Sequence, residues 1–334
     1  METPRVVVLG GGSWGTTVAA MVCRNAPVTL WARNRATVDE INTKHSNSTY
    51  LPDAELPEKL LATDDLAAAV AGADVLIMGI PSQHFREVLI QARPHLADGV
   101  PIVSLTKGLE LGTHLRMTEI IGELLPHHPA AVLTGPNLAR EVMAGKAAAS
   151  VVATDDPDIQ RQLQTILGNS LFRVYTNSDI VGCELGGLLK NIIAIAVGMG
   201  DGRGAGDNTR AALMTRGLAE MTRLGVAMGG EKETFAGLAG MGDLIATCTS
   251  PQSRNHHVGI ELGKGRDPAE ILGEMRMVAE GVKSAPAVIE LAAQHGVEMP
   301  IACEVQRVLS GDSNIRRAFR GLLREVAGAE SEPG

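Results

Sequence analysis

The chain has 334 residues, with 30 Lys and Arg against 38 Asp and Glu, for a net charge of −8. That length predicts about two domains, and the acidic balance excludes a sequence-independent nucleic-acid binder, which needs a basic face. Hydrophobic residues at 45% exclude disorder over most of the chain, while aromatics at 2% and 38 glycines point to an aliphatic core of the kind a parallel sheet builds.

In chain order, the β-branched run Val6–Leu9 ends at glycines and predicts a buried strand. A helix over 14–24 follows, then a strand at Val28–Trp31. Residues 66–70 have a helical pattern, and 75–80 form a third buried strand that stops at Pro81-Ser82. A helix is expected over 85–92, with strands at 101–105, 131–134, 151–154 and 172–175, and a helix over 138–143. This βαβαβ rhythm implies a doubly wound parallel sheet of Rossmann type. After about residue 180 the β-branched runs disappear. Helical patterns over 185–199, 209–224, 269–274, 284–294 and 301–309 predict an all-α second domain. The expected organisation is therefore α/β: a Rossmann-like dinucleotide domain at 1–182, an all-helical substrate and dimerisation domain at 183–327, and a frayed acidic tail at 328–334.

No membrane-spanning helix is expected. The longest apolar stretch, 185–199, carries Lys190 and falls short of about 20 residues. Val6–Leu9 is too short for the apolar region of a signal peptide. Cys23, Cys183, Cys248 and Cys303 are far apart with no C-x-x-C, as expected of reduced thiols in a cytoplasmic protein and not of a disulfide framework or zinc site. No histidine or carboxylate spacing points to a metal.

Gly10-Gly11-Gly12-Ser13-Trp14-Gly15 matches G-x-G-x-x-G in the context that gives the motif meaning, directly after a strand and opening a helix. Gly10 would make the tight turn, Gly12 would admit a pyrophosphate, and Gly15 would let helix and strand pack closely. The helix N-terminus supplies N–H donors to the phosphates. At the end of the second strand an acidic residue would select NAD through the ribose 2′-hydroxyl. The sequence there is Ala32-Arg33-Asn34-Arg35. Two arginines suit a 2′-phosphate and favour NADP; as solvated loop charges they would tolerate both cofactors.

Ligands in such sheets sit beyond the carboxyl ends of the strands. Thr106-Lys107-Gly108 places a cation at that edge, and Gly135-Pro136-Asn137 makes a rigid turn opening a helix. Lys190 stands alone in an aliphatic helix. Gly186, Gly187, Lys190 and Ala194 share one face at i, i+3/i+4 spacing, small and open around one amine. Burial favours the neutral amine and makes it able to exchange a proton near neutral pH; a lysine snorkelling at a domain surface is the alternative. Asp243 lies in the glycine-rich stretch 237–244, expected to be a turn. Arg254 among Ser253 and Asn255 is a candidate phosphate clamp, because a planar guanidinium meets phosphate oxygens bidentately.

These segments together, 10–16, 106–110, 135–139, 184–193, 200–219 and 237–255 with 278–283, resemble the bacterial biosynthetic NAD(P)-dependent glycerol-3-phosphate dehydrogenases over nearly the whole chain. The resemblance implies reversible hydride transfer between dihydroxyacetone phosphate and sn-glycerol 3-phosphate for phospholipid synthesis, with NADP or NAD as cofactor and a homodimer as the default assembly. It implies Lys190 as the proton acceptor when the alcohol is oxidised. Lys107, Gly135, Asn137, Asp243, Ser253, Arg254 and Asn255 would hold the substrate with it. Ser13, Trp14, Arg33, Lys107, Ala139, Arg254, Val278 and Glu280 would touch the cofactor beside the glycines. Two positions depart from the family pattern: Asn137 stands where Ser is usual, and Asn34 separates Arg33 from Arg35. The alternative is a β-hydroxyacid dehydrogenase of 6-phosphogluconate type, which pairs its lysine with an Asn one helical turn later. Here that position is Ala194, and Asn191 follows Lys190 directly.

Overall fold

The computed structural model describes residues 3–275 and 279–318. The chain divides into two compact units, one ending at Ile180 and the other beginning at Val181.

The described residues of the first unit contain ten strands: β1 Val6–Leu9, β2 Val28–Trp31, β3 Ser46–Asn47, β4 Leu51–Glu55, β5 Leu61–Thr63, β6 Val75–Met78, β7 Ile102–Ser104, β8 Ala130–Thr134, β9 Ala148–Ala153 and β10 Phe172–Asn177. Eight of them form one sheet in the order β10-β9-β8-β7-β6-β1-β2-β5, and β3 and β4 form a separate antiparallel pair. The strand order reverses beside β1, so the expected ligand crevice lies past Leu9 and Met78. The sheet is buried on both faces. Val6 and Val8 belong to one core cluster with Val18, Ala19 and Val22 of helix Ser13–Val22. Val7 and Leu9 belong to the other, with Phe85, Leu89 and Ala92 of helix Ser82–Ala92. Two-sided burial is why these strands are continuous apolar runs without alternation.

The sheet departs from the expected all-parallel arrangement at one junction. β8 and β9 are antiparallel, with Val132 opposite Ala153, and β10 follows β9 in parallel. An apolar run buried on both faces carries no mark of its direction, so this reversal has no sequence signal. Helices Arg35–Lys44, Met117–Leu124 and Pro157–Leu167 also fell outside the expected elements. The last carries a legible start, with the Asp156 carboxylate accepting from the Asp158 and Ile159 N–H groups ahead of Pro157 at the first turn.

The described residues of the second unit are helical and include no strand. Its centre is helix Ile180–Gly202, 23 residues long, with Gly182 through Gly200 buried. The apolar stretch is thus longer than expected, and by length and composition alone it could cross a membrane. Yet 89% of its apolar window is buried within the fold, as befits a core helix. Helix Arg254–Gly263 lies against it backbone to backbone. A Cβ on Gly198 would fall 2.2 Å from the His256 carbonyl oxygen, and one on Gly259 would fall 2.2 Å from that of Ile195. The stretch 237–244, expected as a turn, is instead the π-helical turn Leu238–Gly242 running into helix Asp243–Thr249. The tail 328–334 lies outside the described residues.

Candidate active site

The glycine turn has the geometry its motif requires. Gly10 sits at φ +117°, and a Cβ there would fall 2.3 Å from the Gly79 carbonyl oxygen at the end of β6. A Cβ on Gly15 would fall 2.0 Å from the Gly10 oxygen, so the helix approaches the strand end as closely as backbone allows. A Cβ on Gly12 would meet nothing within 4 Å, which leaves a cradle open above the helix N-terminus. That helix has no acidic residue in its first turn, so its partial positive charge is unopposed. The turn therefore fits a dinucleotide pyrophosphate.

The short β3–β4 pair, which has no clear sequence signature, braces this turn. Asn47 Nδ2 donates to the Gly11 carbonyl and to Thr16 Oγ1, each at 2.9 Å. The Ser13 hydroxyl donates to the Tyr50 carbonyl at 2.9 Å. The Trp14 ring lies 6.3 Å from that of Phe172 and packs on the core. Beyond β2, Arg33 is exposed and Arg35 is bound to Asp39 and Asp64. The two arginines are thus not equivalent.

At the ends of β7 and β8, Lys107 Nζ donates to the Gly135 carbonyl at 3.1 Å, with Gly135 at φ +140°. Asn137 is fixed by its own side chain, which donates to the Ala149 carbonyl and accepts from the Ser150 hydroxyl, both at 2.9 Å. Ala139 opens the short helix Ala139–Met143. The loop carrying Lys107 is held by Glu110. Its carboxylate takes two hydrogen bonds from Arg86, at 2.6 and 2.9 Å, and one from Thr113 at 2.6 Å. The Arg86 guanidinium holds the Glu110 carboxyl below the usual carboxylate range.

In the second unit Lys190 is buried but not isolated. Its Nζ donates to Asp243 Oδ1 at 2.6 Å and Thr247 Oγ1 at 2.5 Å, with the lysine and aspartate side chains 8% and 3% exposed. The small helix face around it is packed, contrary to the open face expected. A Cβ on Gly186 would fall 2.6 Å from the Ala239 carbonyl oxygen, so the glycine admits the π-turn that delivers Asp243. A carboxylate this close favours the ammonium form of Lys190 and offsets its burial. Thr247 escaped the sequence reading because it reaches Lys190 from an element 57 positions away.

Asn255 joins two helices: its Nδ2 donates to Asn191 Oδ1 at 2.9 Å, and its Oδ1 accepts from the Gly281 N–H at 3.0 Å. Ser253 caps helix Arg254–Gly263, its hydroxyl oxygen accepting from the His256 N–H. Arg254 is exposed, yet desolvation by the atoms around it pulls its guanidinium below the usual range, opposed by the charge of Glu280. Burial pushes the Glu280 carboxyl up. Its Oε2 is buried with no hydrogen-bond partner among the described residues, a group that a cofactor hydroxyl or amide would satisfy. His256 is engaged elsewhere, with Nε2 2.8 Å from Asp201. Val278 lies outside the described residues. No group of three or more His, Cys, Asp or Glu is placed to hold a metal ion among the described residues.

The chain is similar to known proteins over nearly its whole length. Residues 5–160 match the family model for the NAD-dependent glycerol-3-phosphate dehydrogenase N-terminus, and residues 179–320 match that for its C-terminus. The chain is 64% identical over 330 residues to a glycerol-3-phosphate dehydrogenase [NAD(P)+] of Sphingopyxis alaskensis, covering 99% of each chain. It is 53% identical to that of Mycobacterium avium, covering 99% of this chain and 97% of the relative. The crystal structure of glycerol-3-phosphate dehydrogenase from Coxiella burnetii superposes with a TM-score of 0.92 at 40% identity, covering 97% of this chain and 99% of that one. These matches decide against the 6-phosphogluconate alternative: the chain belongs to the NAD-dependent glycerol-3-phosphate dehydrogenase family.

Proposed function

We propose that this chain reversibly interconverts dihydroxyacetone phosphate and sn-glycerol 3-phosphate with NAD(P)(H), providing glycerol 3-phosphate for phospholipid synthesis. The observation that carries the chemistry is the buried Lys190 ammonium held at 2.6 Å by Asp243 and at 2.5 Å by Thr247. A bound nicotinamide supplies the hydride. Reduction of a ketone develops negative charge on the carbonyl oxygen. An ammonium fixed in place stabilises that charge and then donates the proton. In the oxidising direction the same amine accepts it. Asp243 and Thr247 keep Nζ aimed, and for oxidation the ammonium first gives its proton to solvent, so that the neutral amine can take the one the alcohol loses.

In this reading Lys107, Gly135, Asn137, Asp243, Ser253, Arg254 and Asn255 hold the substrate with Lys190, Arg254 meeting the phosphate. Gly10, Gly12, Ser13, Trp14, Gly15, Arg33, Lys107, Ala139, Arg254, Val278 and Glu280 hold the dinucleotide. The open cradle at Gly12 and the orphaned Glu280 oxygen support that assignment, and Arg33 favours NADP. The reading takes residues 1–182 as the dinucleotide domain and 183–327 as the substrate domain, the latter also pairing two copies in a cytoplasmic homodimer. Purified protein mixed with dihydroxyacetone phosphate should consume NADPH or NADH, followed by absorbance. No consumption of either, by protein shown to bind the dinucleotide, overturns the substrate assignment.

A further inference from the structure

The end of β2 is where a Rossmann sheet reads the 2′ position of the adenosine ribose. The edge strand beside it brings charges of its own. β5 pairs in parallel with β2, Trp31 opposite Thr63, and the Ala32 N–H donates to the Thr63 carbonyl at 3.0 Å. The next residue, Asp64, is pinned by the Trp31 indole, which donates to its carbonyl at 3.1 Å. The register therefore sets an acidic side chain beside Ala32 and Arg33, delivered by the neighbouring strand and not by β2. Its carboxylate accepts from Arg35 Nη1 at 3.2 Å, and Asp39, one turn along the helix, accepts from Arg35 Nε at 3.0 Å. One cation thus faces two anions. Arg33 has no hydrogen bond or ion pair among the described residues.

We infer that Asp64 is a specificity-determining residue for the 2′ position: it holds Arg35 in a carboxylate cluster and leaves Arg33, not Arg35, to meet a 2′-phosphate. The inference rests on the dehydrogenase reading above. Asp64 acts in two ways. It occupies the guanidinium that would otherwise double the positive charge at that corner, and it adds a negative charge that a phosphate dianion feels and a hydroxyl does not. The Arg35, Asp39 and Asp64 side chains are 69%, 57% and 35% exposed, so the effect is moderate and screened by salt.

The test is kcat/KM for NADPH and for NADH with dihydroxyacetone phosphate, in wild type, Asp64→Asn and Arg35→Ala. Asp64→Asn should raise the NADPH:NADH ratio about three- to tenfold, through the KM for NADPH, with kcat unchanged and the NADH values within about twofold of wild type. The gain should shrink near ~1 M salt. Arg35→Ala should lower the ratio, because Asp39 and Asp64 then stand uncompensated. An unchanged ratio in Asp64→Asn, or an equal change for both cofactors, overturns the inference. If wild type turns over neither cofactor, the dehydrogenase reading fails instead. The ratio of NADPH to NADH dissociation constants, from nucleotide fluorescence, then tests Asp64 in the same variants.

Discussion

The two units prepare their chemistry by opposite means. In the first, the glycine turn offers backbone: Gly10, Gly12 and Gly15 act by lacking a side chain, and a helix N-terminus supplies the charge. In the second, the working groups are side chains of high cost, a lysine and an aspartate almost wholly removed from water and bonded to each other. A backbone site is written in a few consecutive residues. The buried pair is written in two segments 53 positions apart, joined by a helix–helix approach that glycines permit. Damage should differ accordingly: the turn loses ligand, whereas the pair loses stability along with turnover.

The largest effect is expected at Asp243. Asp243→Leu leaves the Lys190 ammonium buried without its carboxylate and should cost about 3–5 kcal/mol of stability, read by denaturant unfolding. A milder loss than the glycine variant below shows would erase the contrast between the units. Glu220 sharpens it. This buried carboxylate caps helix Pro300–Leu309 through the Ile301 and Ala302 N–H groups, yet burial pushes it up to about 7. The folded protein therefore holds a proton that the unfolded chain has released between about pH 4.5 and 7. Stability from this group is fully present below the lower value and lost as pH rises to the upper, about 3 kcal/mol in all. In Glu220→Gln that part of the slope should vanish from unfolding curves measured across the range.

Arg254→Ala should lower kcat/KM for dihydroxyacetone phosphate by roughly 30- to 100-fold, the scale of a charged hydrogen-bonded clamp. Unphosphorylated dihydroxyacetone should lose far less, and equal losses on both would remove the phosphate from Arg254. The smallest effect on stability belongs to the first unit. Gly10→Ala puts a Cβ against the Gly79 carbonyl at positive φ and should cost about 1–3 kcal/mol, with dinucleotide affinity falling more steeply than the melting temperature.

Legibility in the sequence followed the same division. β1, its turn and the helix after it form one uninterrupted stretch, 6–22, so strand, motif and helix could be read together. Lys190 stood out because an aliphatic helix has no reason to carry a lone amine. What surrounds it did not. Asp243 belongs to a helix start where its glycines spell a turn, and Thr247 and Glu110 act through contacts that no spacing reveals. Asp64 lies outside the β2 segment in which the 2′ residue is sought. The β3–β4 pair, polar and broken by Pro52, shows no strand alternation, although it braces the turn through Asn47.

The central claim is that Lys190 moves the proton while the glycine turn holds the dinucleotide independently of it. Single-turnover reduction of dihydroxyacetone phosphate by Lys190→Ala, alongside NADPH titration of the same protein, tests both halves together. The rate should fall by about 10²–10⁴-fold with the dinucleotide dissociation constant unchanged. A variant that turns over within about threefold of wild type, inside the range a positioned acid–base group exceeds, would contradict it.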